Sequence, residues 1–317
     1  MASNRADVLR ALAELEVESL ERCSGLQVFG LKWPCPPCVE YVTLDEAVST
    51  KTLDIAEVVA EGRVSAIKVV NRSGRLVFLM AGELLVGCKQ DRVINASMML
   101  PARSELHIPV TCVEAGRWSY RSRNFSSAGS SSHGFMRMMM SSQVAEHYKT
   151  RGMPGSDQAA IWAEIARKMD KMGSRSPSGA LQEMYEDYAN RLAEVLAKFS
   201  PPAKCHGAAF VVDGRFAGVD LFDKPSTLAK LWPKLIKSYA LDALENPREK
   251  PTVVQPEEVS KWVKAAGAAR QKWFDSPGVG YDVRIESEQL VGATLVVEGY
   301  PVHLELFQEE PRMTEQR

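Results

Sequence analysis

AGELLVGCKQDRVINASMMLPARSELHIPVTCVEAGRW, residues 81–118, is the stretch that decides the fold. Its apolar runs are short and rich in β-branched residues, and Pro101 interrupts them where a turn is needed, so it reads as strand, turn, strand rather than helix. Polar residues gather at the ends of these runs, where scaffolds usually display binding groups. One cluster holds Glu83, Lys89, Gln90, Asp91 and Arg92; the other holds Glu114, Arg117 and Trp118. Antiparallel strands at 93–100 and 104–113, turning at Pro101, would return both clusters to one rim. That register predicts Lys89 or Arg92 within direct or water-bridged reach of Glu114, lining a pocket. The competing reading has Pro101 send the second strand into another sheet.

Upstream, VSAIKVV-NRSG-RLVFLM (64–80) predicts a hairpin, and a short helix is expected near Asp45. Residues 5–22 predict an N-terminal helix with Val8, Leu9, Leu12, Leu15, Val17 and Leu20 on an imperfect apolar face. Downstream, SYRSRNFSSAGSSSHG (119–134) reads as a Ser/Gly-rich loop, either a mobile lid or an insertion, and the Met-rich run after it as a helix. Helical spacing recurs at 158–172, 178–199, 226–244 and 256–273. GAAFVVDGRFAGVDLF predicts a hairpin turning at Asp213-Gly214, and ATLVVEG and YPVHLELF predict another around Gly299. With no regular βαβ alternation the class is α+β: a β-rich half at 24–118 packed against helices and strands at 136–307. The expected organisation is a helical extension at 1–23, a single domain at 24–307 and a frayed tail at 308–317.

A chain of 317 residues with 45% hydrophobic and 25% charged residues has a globular protein's composition. A formal net charge of -1 argues against a dedicated nucleic-acid binder. No run approaches the length of a membrane span and the start lacks a secretory signal, so a cytoplasmic location is expected. Cys35 and Cys38 in WPCPPC have CxxC spacing, which fits a redox pair, half a zinc site or incidental thiols on a proline-stiffened loop. No P-loop, GxSxG, GxGxxG or HExxH signature occurs in a suitable context, and no cofactor or metal is expected.

Glu83 and Glu114 are the candidate catalytic pair, because both follow apolar runs and burial can raise a carboxyl's pKa into a useful range. Lys89, Gln90, Asp91, Arg92, Arg117 and Trp118 suit ligand binding: amides and carboxylates for hydroxyls, cations for an anion, an indole for a ring face. The expected partner is a small sugar-like or nucleotide-derived molecule. In GVDLFD (218–223), Asp220 and Asp223 could ligate a divalent ion or cap the helix that follows. Arg175 to Gly179 could hold phosphate or serve as an ordinary helix start. His107 and His303 lie within strands, where a structural role is usual.

GELLVGCKQDRV (82–93), IPVTCVEAGRW (108–118), SRSPSGAL (174–181), AGVDLFDKP and LWPKLIKSYALDAL (within 217–244) together resemble the ADP-ribosylglycohydrolase and rhodanese-phosphatase-associated proteins, the ARPP family. The resemblance covers roughly 24–306. It implies a link to NAD and ADP-ribose metabolism, with a companion enzyme that removes ADP-ribose or phosphate as a possible partner. It carries no established reaction, so a binding module, a hydrolase or lyase on a nucleotide derivative, and a docking scaffold all stay open. Transferred to this chain, the family's polar site would comprise Glu83, Lys89, Gln90, Arg92, Glu114 and Arg117.

Overall fold

The period-2 patterns of the N-terminal half become alternating burial in the structure, a computed structural model that describes residues 9–33, 39–59, 65–247 and 252–309. The first half comprises β1 (Glu16–Cys23), β2 (Leu26–Lys32), β3 (Tyr41–Thr43), α1 (Leu44–Ser49), β4 (Leu53–Glu57), β5 (Ala66–Asn71), β6 (Leu76–Leu79), β7 (Glu83–Gly87), β8 (Arg92–Ile94), β9 (Met98–Leu100), β10 (Ser104–Cys112) and β11 (Phe125–Ser131). Helices α2 (Gly134–Arg151), α3 (Gln158–Met172), α4 (Leu181–Asp187) and α5 (Ala189–Leu196) follow. The chain then forms β12 (Gly207–Val212), β13 (Arg215–Phe222), α6 (Pro225–Glu245), α7 (Pro256–Ala265), β14 (Arg270–Asp275), β15 (Tyr281–Glu286), β16 (Leu290–Val297) and β17 (Tyr300–Gln308). The mixed α+β class is as expected.

Strands β1-β2-β12-β13-β17-β16-β15-β14 form an eight-stranded sheet, β11-β7-β8-β10-β5-β4 a six-stranded one, and β3-β6-β9 a third. One face of the large sheet buries Val28 and Phe210 against Met136 and Met140 of α2 and Trp232, Leu235 and Tyr239 of α6. Its other face packs Phe29, Leu221 and Leu304 on Val259 and Val263 of α7. A separate cluster fills the space between the two smaller sheets, with Ile55, Val69, Leu85 and Val110 meeting Leu79, Leu100 and Leu44 of α1. Among the described residues no helix is long and apolar enough to cross a membrane.

Two tight hairpins match expectation. Val212 pairs with Arg215 across Asp213-Gly214, and Val297 with Tyr300 across Glu298-Gly299, with positive φ at all four turn residues. Other expectations fail. Residues 16–23 are not helical but form edge strand β1, preceded by a 3-10 turn at Arg10–Glu14. The 64–80 hairpin does not form: β5 pairs with β4 and β10, while β6 pairs with β3 and β9. NRSG is a loop between sheets, tied down by the Asn71 amide on the carbonyls of Arg75 and Pro101 (both 2.8 Å). Instead of a loop throughout, 119–134 holds β11, which pairs with β7. The 178–199 helix starts only at Leu181 and breaks at Tyr188, and the 256–273 helix ends before β14. The WPCPPC thiols lie outside the described residues, as does most of the expected C-terminal tail.

Both readings of Pro101 are realised in part. The run 93–100 divides: β8 stays in the six-stranded sheet, whereas β9 leaves it to pair with β6. After Pro101, β10 pairs first with β5 and then, through Val110–Cys112, with β8, placing Cys112 opposite Arg92. The residues before β8 and after β10 therefore return to the same end.

Candidate functional site

Three of the motifs that carry the family resemblance converge at that end. The backbone amide of Leu181 donates to Val113 O (2.9 Å) and that of Gly116 to Ser178 O (2.7 Å), zipping SRSPSGAL onto the end of β10. Between them, Glu114 is fully buried. Its Oε1 accepts from Arg117 Nε (2.8 Å) and Ser178 Oγ (2.7 Å), and its Oε2 from Arg117 Nη2 (2.5 Å) and the Asp91 amide (3.0 Å). Burial alone would raise this carboxyl, but the donors from Arg117, Ser178 and Asp91 outweigh it and hold the group below its ordinary value. Arg117 also donates to Cys88 O (2.6 Å), Ser119 O (2.8 Å) and Asp91 Oδ1 (3.1 Å), so its fork ties together the ends of β7, β8 and β10. Gly87, where β7 ends at φ 121, has no room for a side chain beside Ser122 and Asn124.

The two clusters thus meet, through Asp91 and Arg117 rather than through Lys89 or Arg92. Arg92 is fully buried, donating to Gln90 Oε1 (3.3 Å) and lying 3.5 Å from Glu57 Oε1, with Cys112 Sγ at 2.8 Å. Burial pushes the Cys88 and Cys112 thiols up to about 11, which leaves them protonated and inert at neutral pH. Glu83 begins β7, whereas Gly87 at its far end meets the clamp by donating to Asp91 Oδ1 (3.0 Å). At ~3.3 Å per residue the two ends are about 13 Å apart. There Glu83 accepts from Lys234 Nζ (2.6 Å) and the Met80 amide (2.8 Å). Glu83 and Glu114 consequently serve separate ion pairs. With its oxygens occupied by donors, Glu114 is suited to positioning Arg117 rather than shuttling a proton.

Beside the clamp the chain opens into a cleft of about 1050 Å³, whose lining includes Glu57, Tyr120, Arg121 and Arg123 together with two ion pairs, Lys68–Glu105 (2.7 Å) and Arg72–Asp54 (2.6 Å). Tyr120 of that lining has its ring centre 5.2 Å from the Lys89 ammonium, which lies 5.3 Å from the Trp118 ring centre, and both rings are about half exposed. Arg121 stands 4.0 Å from Asp91 and 3.9 Å from Glu114, loosely held for an arginine beside two carboxylates. Glu57, Tyr120 and Arg121 are absent from the candidates that sequence reasoning selects. The signal for Glu57 is its phase: in LDIAE the buried positions are Leu53, Ile55 and Glu57, so a charge falls on the apolar face.

The GVDLFD carboxylates separate. Asp220 takes both Arg137 terminal nitrogens (2.5 and 3.0 Å) and Tyr239 Oη (3.1 Å). Asp223 accepts from Tyr41 Oη (2.5 Å) and provides no cap for α6, which begins after Lys224 without a side-chain cap. Asp220, His303 and Glu305 bring possible ligand atoms within 4.8 Å of one another. The Arg137 guanidinium already bridges Asp220 and Glu305, and a cation between them would have to displace it. Ser97 Oγ, His303 and Asp220 form a chain (2.8 and 3.2 Å), but His303 is stacked on Phe222 and edge-on to Phe78, and the void beside their neighbours Arg137 and Glu305 is about 10 Å³, room for one water and no substrate. These side chains are core polar supports. Arg175 and Ser176 border a second cavity of about 590 Å³, walled mainly by Trp162, Ile165, Met169 and Pro177.

A clamp assembled from motifs distant in sequence stands beside a cleft walled in part by Tyr120, Arg121 and Arg123. The chain belongs to the ARPP-1 family, described as the ARG and Rhodanese-Phosphatase-superfamily-associated Protein domain, whose model matches residues 14–307. The match takes in β1 and begins before the domain start at 24 expected from sequence. No curated protein and no solved structure matches the chain.

Proposed function

We propose that the protein is a binding module for a sugar-phosphate or ADP-ribose-like ligand, held in the cleft beside the Glu114–Arg117 clamp and linked to NAD and ADP-ribose metabolism. The observation that carries this reading is the approach of the Lys89 ammonium to both the Trp118 and the Tyr120 rings, Tyr120 lining the cleft together with Arg121. Planar rings offer a stacking face for a base or sugar, and the cations offer charge-assisted hydrogen bonds to phosphate. In this reading Lys89, Trp118, Tyr120 and Arg121 touch the ligand, while Asp91, Gln90, Arg92 and Arg117 hold the loop that presents them. Glu83 and Glu114 act as structural carboxylates. The ADP-ribose link rests on reading ARG as ADP-ribosylglycohydrolase, and a companion enzyme of that kind would be the source or the consumer of the ligand.

Isothermal titration with ADP-ribose, NAD, ribose phosphates and simple sugars tests the reading. Heat is expected with the phosphorylated members, weakened roughly 10- to 100-fold by Arg121→Ala, the equivalent of one charge-assisted hydrogen bond. An absence of heat and of thermal shift across the whole panel would overturn it. Turnover of the same panel that persists in Glu83→Gln and Glu114→Gln would instead indicate an enzyme using other groups.

A further inference from the structure

Buried polar atoms without hydrogen-bond partners are rare in folded proteins, and each calls for an explanation. Among the described residues Glu57 Oε2, Arg92 Nε and Nη2, and Asp91 Oδ2 are such atoms, with Arg92 3.5 Å from Glu57 and next to Asp91 in the chain. Glu57 Oε1 accepts the Lys89 amide at 3.3 Å and lies 3.5 Å from Arg92 Nη2, which orients the carboxylate. The Glu57 side chain is 3% exposed, yet it forms part of the cleft wall. A carboxylate held at one oxygen and unpartnered at the other is an acceptor waiting for hydroxyl donors. Fixed cations would bind phosphate equally well without it, so its chemistry adds a second requirement to the ligand.

We propose that Glu57, positioned by Arg92, accepts hydrogen bonds from ligand hydroxyls and makes the cleft selective for sugar phosphates with adjacent hydroxyls over their deoxy analogues. This inference rests on the ligand-binding reading above and assigns that ligand its polar end. The phosphate lies toward Arg121 and Arg123 at the rim, the ring against Trp118 and Tyr120, and the hydroxyls toward Glu57. A missing hydroxyl leaves the buried oxygen unpaired, which is what makes such sites discriminate.

The test compares ribose 5-phosphate, 2-deoxyribose 5-phosphate and inorganic phosphate by titration calorimetry on the full chain, wild type and Glu57→Gln. The wild type is expected to favour the ribose compound over its deoxy analogue by tenfold or more. Glu57→Gln should lose most of that preference while keeping its affinity for inorganic phosphate, which also shows that the variant is folded and its rim intact. Equal binding of the two sugars by the wild type, or an undiminished preference in Glu57→Gln, would overturn the role of Glu57 and leave the ligand-binding reading standing. If neither sugar phosphate nor ADP-ribose binds the wild type, the ligand-binding reading itself fails.

Discussion

Removing the Arg117 side chain is the most direct challenge to the clamp. In Arg117→Ala the buried Glu114 loses its contacts at 2.8 and 2.5 Å, Asp91 loses one at 3.1 Å, the Ser119 carbonyl loses the guanidinium, and the Cys88 carbonyl keeps only the Arg121 amide (2.9 Å). Deleting one partner of a buried pair typically costs about 3–5 kcal/mol, because the remaining charge stays desolvated. Arg117 is 13% exposed, so some water can replace it, and Ser178 Oγ and the Asp91 amide still hold Glu114. The expected loss is therefore at the lower end, about 3 kcal/mol. Arg117→Lys keeps the charge but cannot span both carboxylates with a planar fork, and should recover only part of it. Urea unfolding reads the loss as a lower midpoint at unchanged m. The folded pKa of Glu114 is depressed, so its stabilisation is present above the unfolded value of about 4.3 and fades as pH falls through the folded one. Arg117→Ala should remove much of that acid-limb slope. A loss below about 1 kcal/mol, or an unchanged acid limb, would show that Arg117 does not hold the site together.

Two further outcomes follow from neighbouring geometry. A methyl group at Gly116 would sit 3.0 Å from the Ser178 Cα and 3.2 Å from its carbonyl, so Gly116→Ala should cost about 1–3 kcal/mol in urea melts by loosening the zipper; an unchanged midpoint would refute the close approach. Burial raises Asp223 to about 6, with the Tyr41 hydroxyl and Lys224 opposing. The folded state thus holds a proton that the unfolded state has released, and stability from this group falls as pH climbs from about 4 to about 6. Asp223→Asn should flatten that limb, measured as melting temperature against pH, and an identical profile in the variant would remove Asp223 as its source.

What the sequence discloses is set by how local the deciding interaction is. The Asp213-Gly214 and Glu298-Gly299 hairpins are legible because their turn residues fix their own strand pairing. NRSG carries an equally good turn signal, yet the Asn71 amide donates to the Pro101 carbonyl in the distant turn between β9 and β10, and β5 and β6 enter different sheets. Strand partner choice of that kind lies in burial, which local spacing does not encode. The N-terminal helix fails for a related reason: Leu12 and Leu15 keep helical spacing, but the core they enter belongs to β2, which draws residues 16–23 into the sheet. Arg137 hides differently, as a lone cation among methionines on α2, and only the structure shows that it neutralises Asp220 and Glu305.

The charged candidates illustrate a finer distinction. Sequence spacing ranks Glu83 and Glu114 together, since both follow apolar runs, and it passes over Glu57. Structure reverses the order, because the useful property of a buried carboxylate at a binding site is unused acceptor capacity. Glu114 has donors at both oxygens, and Glu83 is held by the Lys234 ammonium and the Met80 amide. Each is an anchor whose removal would be felt as lost stability. Glu57, which lines the cleft, is held at one oxygen while its second, buried oxygen has no hydrogen-bond partner, a state that costs folding free energy unless something else supplies the donor. That difference separates residues that build the site from the one whose substitution should change what it binds.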